Sequence, residues 1–215
     1  MREHLLIVGA GDFGREVLSW ALGIPSQQRQ WEIGGFLDNR PKVLEGFNLP
    51  AEIVGAPETY SFRTDDRVVV ALGDPAQRRT FVEMLSQRGA RFTTVIHPSV
   101  IMGMNNTWGE GCIFCPGVIL TTNVRIGKHV VFNCQSEVGH DAVIGDYCTL
   151  SGCVDITGHV TLGEGVFLGS HASVLPHARV GDGAIIGAGS VVLKKVAPRT
   201  SVMGVPALEI WKRPS

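Results

Sequence analysis

The sequence predicts a chain of two architectures, a small parallel α/β sheet followed by an all-β parallel helix. Three observations predict it. Short apolar strands alternate with helical stretches over residues 1–95. From Ile96 large apolar residues recur at every sixth position. The frame then runs unbroken to 197, leaving 198–215 as a closing segment whose Ile210 and Trp211 are expected to pack over the last coil.

The first region opens with the apolar run Leu5-Leu6-Ile7-Val8, which ends in Gly9-Ala10-Gly11-Asp12-Phe13-Gly14. A helix is expected from about Phe13 to Leu22. A second strand runs from Trp31 to Leu37 and ends at Asp38-Asn39. A third, Val68 to Leu72, ends at Gly73-Asp74-Pro75. A helix follows to about Arg88, then a strand from about Arg91. Buried strands alternating with helices form parallel sheets. The segment 41–64 carries no clear pattern.

From Ile96 the count in sixes passes through Met102, Trp108, Phe114, Leu120 and so on to Val192, seventeen large apolar residues in all. Counting in sixes from Val100 meets Val, Ala, Cys or Ser, with Asn106 the exception. Glycine often follows the large residue, as at 103, 109, 127 and 139. No helical period sustains a strict six, and the pattern is that of hexapeptide β-helix repeats. Each hexapeptide is one short strand and a turn, and three make a triangular coil. Burying each large side chain is worth roughly 1.5–3 kcal/mol before chain entropy. A lone repeat cannot bury its own face, so the coils are stable only as a stack.

Composition bounds the function. Among 215 residues, 44% are hydrophobic and 18% charged, with net charge −1, so no nucleic-acid or anionic membrane partner is favoured by bulk charge. No apolar stretch approaches the length needed to span a bilayer, and Asp12 and Arg15 interrupt the first apolar run too soon for a signal peptide. Five cysteines, an odd number, read as reduced thiols, so a cytoplasmic protein is expected. Cys112 and Cys115 form a C-x-x-C with no second pair, and Cys112 falls on an inward fifth position, which favours packing over metal binding.

Gly9-x-Gly11-x-x-Gly14 follows a strand and opens a helix, a context that suits phosphate. Asp38 ends the next strand, where a carboxylate can accept from a ribose hydroxyl. Asp74 and Arg78 open the later helix at the same sheet edge, with Arg78 placed either to meet a pyrophosphate or to lie on the helix surface.

With these residues in view, the chain resembles the bacterial sugar acetyltransferases that join a small Rossmann-like domain to a left-handed β-helix. Members acetylate nucleotide-linked amino sugars or sialic acids. The resemblance covers nearly the whole chain. It rests on the glycine loop at 9–14, Phe36-Leu37-Asp38-Asn39, Gly73-Asp74, Ile96-His97-Pro98-Ser99, Gly139-His140-Asp141 and Gly204-Val205-Pro206-Ala207. It implies acetyl-CoA as acyl donor and a homotrimer with active sites between subunits. It also assigns the first domain to a nucleotide sugar, with Gly11, Asp12, Phe13, Gly14, Asp38, Asn39, Asp74 and Arg78 as candidate contacts.

Acetyl transfer to an amine needs a base, donors for the oxyanion, and alignment of the two substrates. The resemblance makes His140 the base and Asp141, often Glu in the family, its orienting partner. Neighbouring strand residues face opposite ways, so a direct His140–Asp141 bond requires turn geometry. Eighteen residues make one coil, so Gly158 should lie one coil from His140, where a glycine admits a thioester or serves only the turn. Thr149 matches a position near the acetyl group, where a histidine is often found. Ser170 and Ala188 match contacts to the pantetheine arm. Asp141, His159 and His177 share the same spacing and should stack along one edge. That could suggest a metal, but no third histidine is placed there by the spacing, so none is expected. His129 and His171 look like turn residues. The leading expectation is an acetyl-CoA-dependent N-acetyltransferase. O-acetylation of a sugar is the nearest rival, and a non-catalytic binding or scaffold protein is the rival of another class.

Overall fold

A computed structural model describes residues 2–212. The first part is a four-stranded, all-parallel sheet of β1 (Glu3–Val8), β2 (Trp31–Leu37), β3 (Ile53–Gly55) and β4 (Asp66–Val70), in the order β3-β2-β1-β4. Helix α1 (Asp12–Gly23) follows β1, and α2 (Pro75–Gln87) follows β4. The strand β3 lies inside the segment that carried no sequence pattern. It has three residues, none of them buried, too few for a periodic signal. The strand expected from about Arg91 is only an isolated bridge between Val68 and Phe92.

The rest is a parallel β-helix whose two-residue strands stack at an 18-residue register, as in Val131 on Thr149 and Phe132 on Leu150. Three faces result. Face I runs from Val95–Ile96 to Thr200–Met203. Face II runs from Ile101–Met102 to Val191–Val192. Face III runs from Thr107–Trp108 to Lys195–Val196.

The large sixth-position residues from Phe114 to Val192 are all buried along the axis. The three in the first coil are not: Ile96 and Met102 are half-buried and Trp108 is 39% exposed, because that coil has a neighbour on one side only. Asn106, the exception in the fifth-position series, sits at this open end. Its amide bonds the Gly103 and Thr121 carbonyls, and its oxygen accepts the Val124 N–H.

The closing segment adds a strand, Leu208–Lys212, antiparallel to Thr200–Met203. Ile210 and Trp211 were expected to pack over the last coil, but they are 62% and 50% exposed. Pairing at the edge of face I turns them outward, and Ala207 packs against the core instead. Residues 213–215 lie outside the described residues.

The two parts share a core. Leu5, Ile7, Val17 and Leu18 pack in one cluster with Ile113, Cys115 and Val131 of face I and its border. The sheet domain therefore covers the earlier coils of face I, while Ile185 further along it stays exposed. No described helix is long and apolar enough to cross a membrane.

Candidate active site

His140 and Asp141, the residues expected to act in catalysis, sit on the prism edge between faces II and III. The turn there, residues 139–141, joins Glu137–Val138 to Val143–Ile144. Along this edge Asn105, Asn123, Asp141, His159 and His177 all have positive φ, between 59° and 65°. Asn, Asp and His tolerate the left-handed region better than most non-glycine residues. That turn geometry breaks strand alternation, and it brings His140 Nδ1 to 2.8 Å from Asp141 Oδ2.

An ionised carboxylate only accepts, so Nδ1 carries the proton and Nε2 keeps its lone pair. Asn123 donates to Asp141 Oδ1 at 3.2 Å, and Asn105 donates to Asn123 in turn. The bonds from His140 and then Asn123 hold the Asp141 carboxyl below its ordinary value, with His159 contributing by charge. The His140 ring lies one coil from Gly158. A Cβ on Gly158 would stand 2.6 Å from Nε2, so only glycine leaves the ring its place. His159 meets the His140 ring edge-on at 5.0 Å and stacks on His177 at 4.8 Å.

Other expected site residues lie elsewhere. Thr149 is buried on face I, where its hydroxyl accepts from Arg78 and donates to the Gly73 carbonyl, so it is not free to meet an acetyl group. Arg78 is fully buried and binds the carbonyls of Leu72, His129, Tyr147 and Cys148. It is neither a pyrophosphate ligand nor a surface residue; it ties α2 to the β-helix. Ser170 and Ala188 are exposed one coil apart, but on the edge between faces I and II. One chain does not bring them to His140.

His129 is indeed a turn residue, yet only 2% exposed, packed edge-on to Phe92 and stacked on Tyr147. His171 is an exposed turn residue. Cys112 donates to the Gly109 and Gly127 carbonyls while Cys115 packs toward α1, as separate packing residues.

At the first domain, Gly9 turns with φ 94° and Gly11 caps α1. A Cβ on Gly14 would strike the Gly9 carbonyl at 1.8 Å, so the close helix–strand approach demands glycine there. Phe13 is half-buried and packs edge-on to Trp20. The Asp12 carboxylate points into solvent and pairs with Arg15.

Asp38 is 8% exposed and accepts from the Ala10 N–H at 2.7 Å and from the Arg40 guanidinium. Burial would raise its carboxyl, but the bonds from Arg40 and Ala10 outweigh that and hold it below the ordinary value. Asn39 bonds Glu58, and Asp74 caps α2 by accepting from the Gln77 N–H. Arg40 is the residue sequence reading missed. Its guanidinium is 63% exposed and lies 3.5 Å from where a Gly11 Cβ would be, against the helix N-terminus. The signal available was a cation two residues after a strand-ending aspartate.

Comparisons with known proteins agree with this fold. Residues 4–85 match the PglD N-terminal domain, and residues 159–194 match the bacterial transferase hexapeptide (six repeats). A relative from Escherichia coli O157:H7, GDP-perosamine N-acetyltransferase, is 31% identical over 170 residues, covering 75% of this chain and 73% of its own. A solved structure of perosamine N-acetyltransferase from Caulobacter crescentus, a histidine-to-asparagine mutant in complex with CoA and GDP-perosamine, superposes with TM-score 0.87. It is 26% identical and covers 97% of each chain. WeeI from Acinetobacter baumannii AYE gives TM-score 0.83 at 28% identity, covering 96% of this chain and 99% of its own. This chain belongs to the sugar acetyltransferase family that joins a PglD N-terminal domain to hexapeptide repeats.

Proposed function

We propose that this protein transfers the acetyl group of acetyl-CoA to the amine of a nucleotide-linked amino sugar, with His140 as general base. The observation that carries the reading is the His140–Asp141 bond set beneath Gly158, in a chain whose relatives act on or bind GDP-perosamine and CoA. The amine nitrogen attacks the thioester carbonyl, and His140 Nε2 accepts its proton. Asp141 holds the tautomer that makes Nε2 the acceptor and stabilises the imidazolium that forms. The Gly158 N–H, which has no hydrogen-bond partner among the described residues, is suited to the oxyanion. The carbon–sulfur bond then breaks, and the proton passes to the departing CoA thiolate. No metal enters this sequence.

The reading includes a homotrimer. The glycine loop with Arg40 belongs to the domain on face I, while His140 lies on the opposite edge of the prism. Ser170 and Ala188, offered for the pantetheine arm, lie on a third position, the edge between faces I and II. A complete site therefore draws on neighbouring copies. The nucleotide sugar is assigned to the α1 N-terminus, with Gly11, Asp12, Phe13, Gly14, Asp38 and Asn39 shaping the loop and Arg40 meeting phosphate. Acetyl-CoA as donor fits action in the cytoplasm.

The test is acetyl-CoA consumption over a panel of nucleotide-linked amino sugars, GDP-perosamine included, for wild type and His140→Ala. A loss of roughly 10²–10⁴-fold in turnover with CoA still bound is expected. Undiminished turnover in the variant would remove His140 as base. No turnover and no CoA binding would leave a scaffold.

A further inference from the structure

We propose that His140, Asp141 and His159 together bind one divalent transition cation, such as Zn²⁺, and that its binding arrests acetyl transfer. The arrest rests on the reading of His140 as base; the binding does not.

The ligand atoms of these three residues all lie within 4.8 Å of one another. Asp141 Oδ2 stands 2.8 Å from His140 Nδ1 and 3.9 Å from His159 Nε2. Zinc bonds nitrogen and oxygen at about 2.0–2.2 Å, so neighbouring tetrahedral ligands sit about 3.4 Å apart. The observed spacings straddle that value, and a small swing of the half-exposed imidazoles reaches it. Two imidazoles and one carboxylate suit zinc or iron(II) and leave positions for water. Spacing along the chain supplied only Asp141, His159 and His177; the turn supplies the missing imidazole, His140.

The surroundings hold the ligands in place. Asn123 occupies Asp141 Oδ1 and leaves Oδ2 toward both rings. His177 lies flat on His159, with the planes 5° apart, and limits its rotation. The backbone reinforces the pair, since the His159 N–H donates to the His140 carbonyl at 2.9 Å.

Arrest follows from the tautomer. In the metal-free site Nδ1 carries the proton and Nε2, facing Gly158, is the acceptor. A cation on Nδ1 moves that proton to Nε2. The imidazole stays neutral and no net proton is released from it. The nitrogen facing the substrate is then a donor and takes no proton from the amine. The cation is thus an inhibitor of the proposed reaction, not its cofactor.

The test uses the full-length, chelator-treated protein without CoA, since the CoA thiol itself binds zinc. Calorimetric titration with zinc chloride should find one ion per chain, and His159→Asn should weaken binding at least tenfold. Acetylated sugar, followed by mass, should cease to form in wild type as this site fills. The variant, compared with its own chelator-treated rate, should resist the same zinc. Absence of zinc binding overturns the proposal and leaves acetyl transfer under chelator untouched. Equal binding by His159→Asn places the ion elsewhere, for instance on the partly exposed Cys134 or Cys153, and also overturns it. Full turnover with the site occupied overturns the arrest. Loss of turnover in chelator itself would make the ion a requirement and also overturn the arrest, whereas no turnover with or without chelator would count against the acetyl-transfer reading.

Discussion

Replacing Arg78 by alanine should cripple the joint between the two parts without touching substrate affinity. The side chain is fully buried and makes six hydrogen bonds: Nε to His129, Nη1 to Leu72 and Gly73, and Nη2 to Tyr147, Cys148 and the Thr149 hydroxyl. Burial lowers its pKa to about 10, so it remains a cation at neutral pH with only neutral acceptors around it. Alanine removes that desolvation cost, but it takes a donor from five carbonyls and a hydroxyl, of which Gly73 keeps the Thr149 hydroxyl and Cys148 keeps the Val131 N–H, and it opens a cavity near the size of the largest buried side chain. Each stranded buried acceptor costs about 1–3 kcal/mol, relieved in part where water enters. With the relief from charge burial subtracted, a net loss of about 3–5 kcal/mol is expected. For a chain of this size that lowers Tm by roughly 10 °C. Arg78→Lys keeps the charge but not the fork, and should fall between. Calorimetric or urea unfolding measures the loss, and steady-state kinetics well below Tm measures KM for the nucleotide sugar. An unchanged Tm with KM raised tenfold or more would refute the clamp and restore Arg78 to the substrate.

Three other outcomes are expected. Gly158→Ala should lower kcat about 10–100-fold with an unchanged unfolding midpoint, because its Cβ would displace the His140 ring while the fold tolerates a methyl at that turn; kinetics and unfolding measured side by side check this. Arg40→Ala should raise KM for the nucleotide sugar about tenfold and leave KM for acetyl-CoA alone, read by initial rates with each substrate varied. Burial pushes the His129 pKa from 6.5 down to about 4, so between these values the unfolded chain takes up a proton that the native chain refuses. The stability this residue contributes is present above pH 6.5 and falls by up to about 3 kcal/mol as pH drops to 4, measured by urea unfolding of wild type against His129→Phe.

How much could be read in advance follows from what each feature depends on. The β-helix was legible because its period repeats through six coils, and each coil imposes the same demand on the same positions. The 18-residue spacing even carried the His140–Gly158 juxtaposition. What failed was local or pairwise. The three-residue β3 has no room for a pattern. Arg78 and Thr149 looked like ligands because a motif places residue types, while their burial depends on how α2 leans on face I, a contact between residues about 70 positions apart. Ile210 and Trp211 looked like a cap because they are apolar, yet edge pairing with Thr200–Met203 decided their direction.

The prism also explains why the proposed base sits at an edge. Each edge is a column of tight turns, and the left-handed position in those turns favours Asn, Asp, His and Gly. A β-helix therefore builds ladders of polar side chains at coil spacing whether or not they serve a reaction. All three edges carry one: His129 and Tyr147 on one, Gln135, Cys153 and His171 on another, and Asn123, Asp141 and His159 on the third. A left-handed histidine alone marks nothing, since His129 is buried packing and His171 an exposed turn. The third edge differs because His140 precedes the left-handed Asp141 and so lies beside it, with a side-chain-free Gly158 opposite its Nε2. That combination leaves one nitrogen held and the other with its lone pair beside the place a side chain would otherwise fill, which is the arrangement a general base requires.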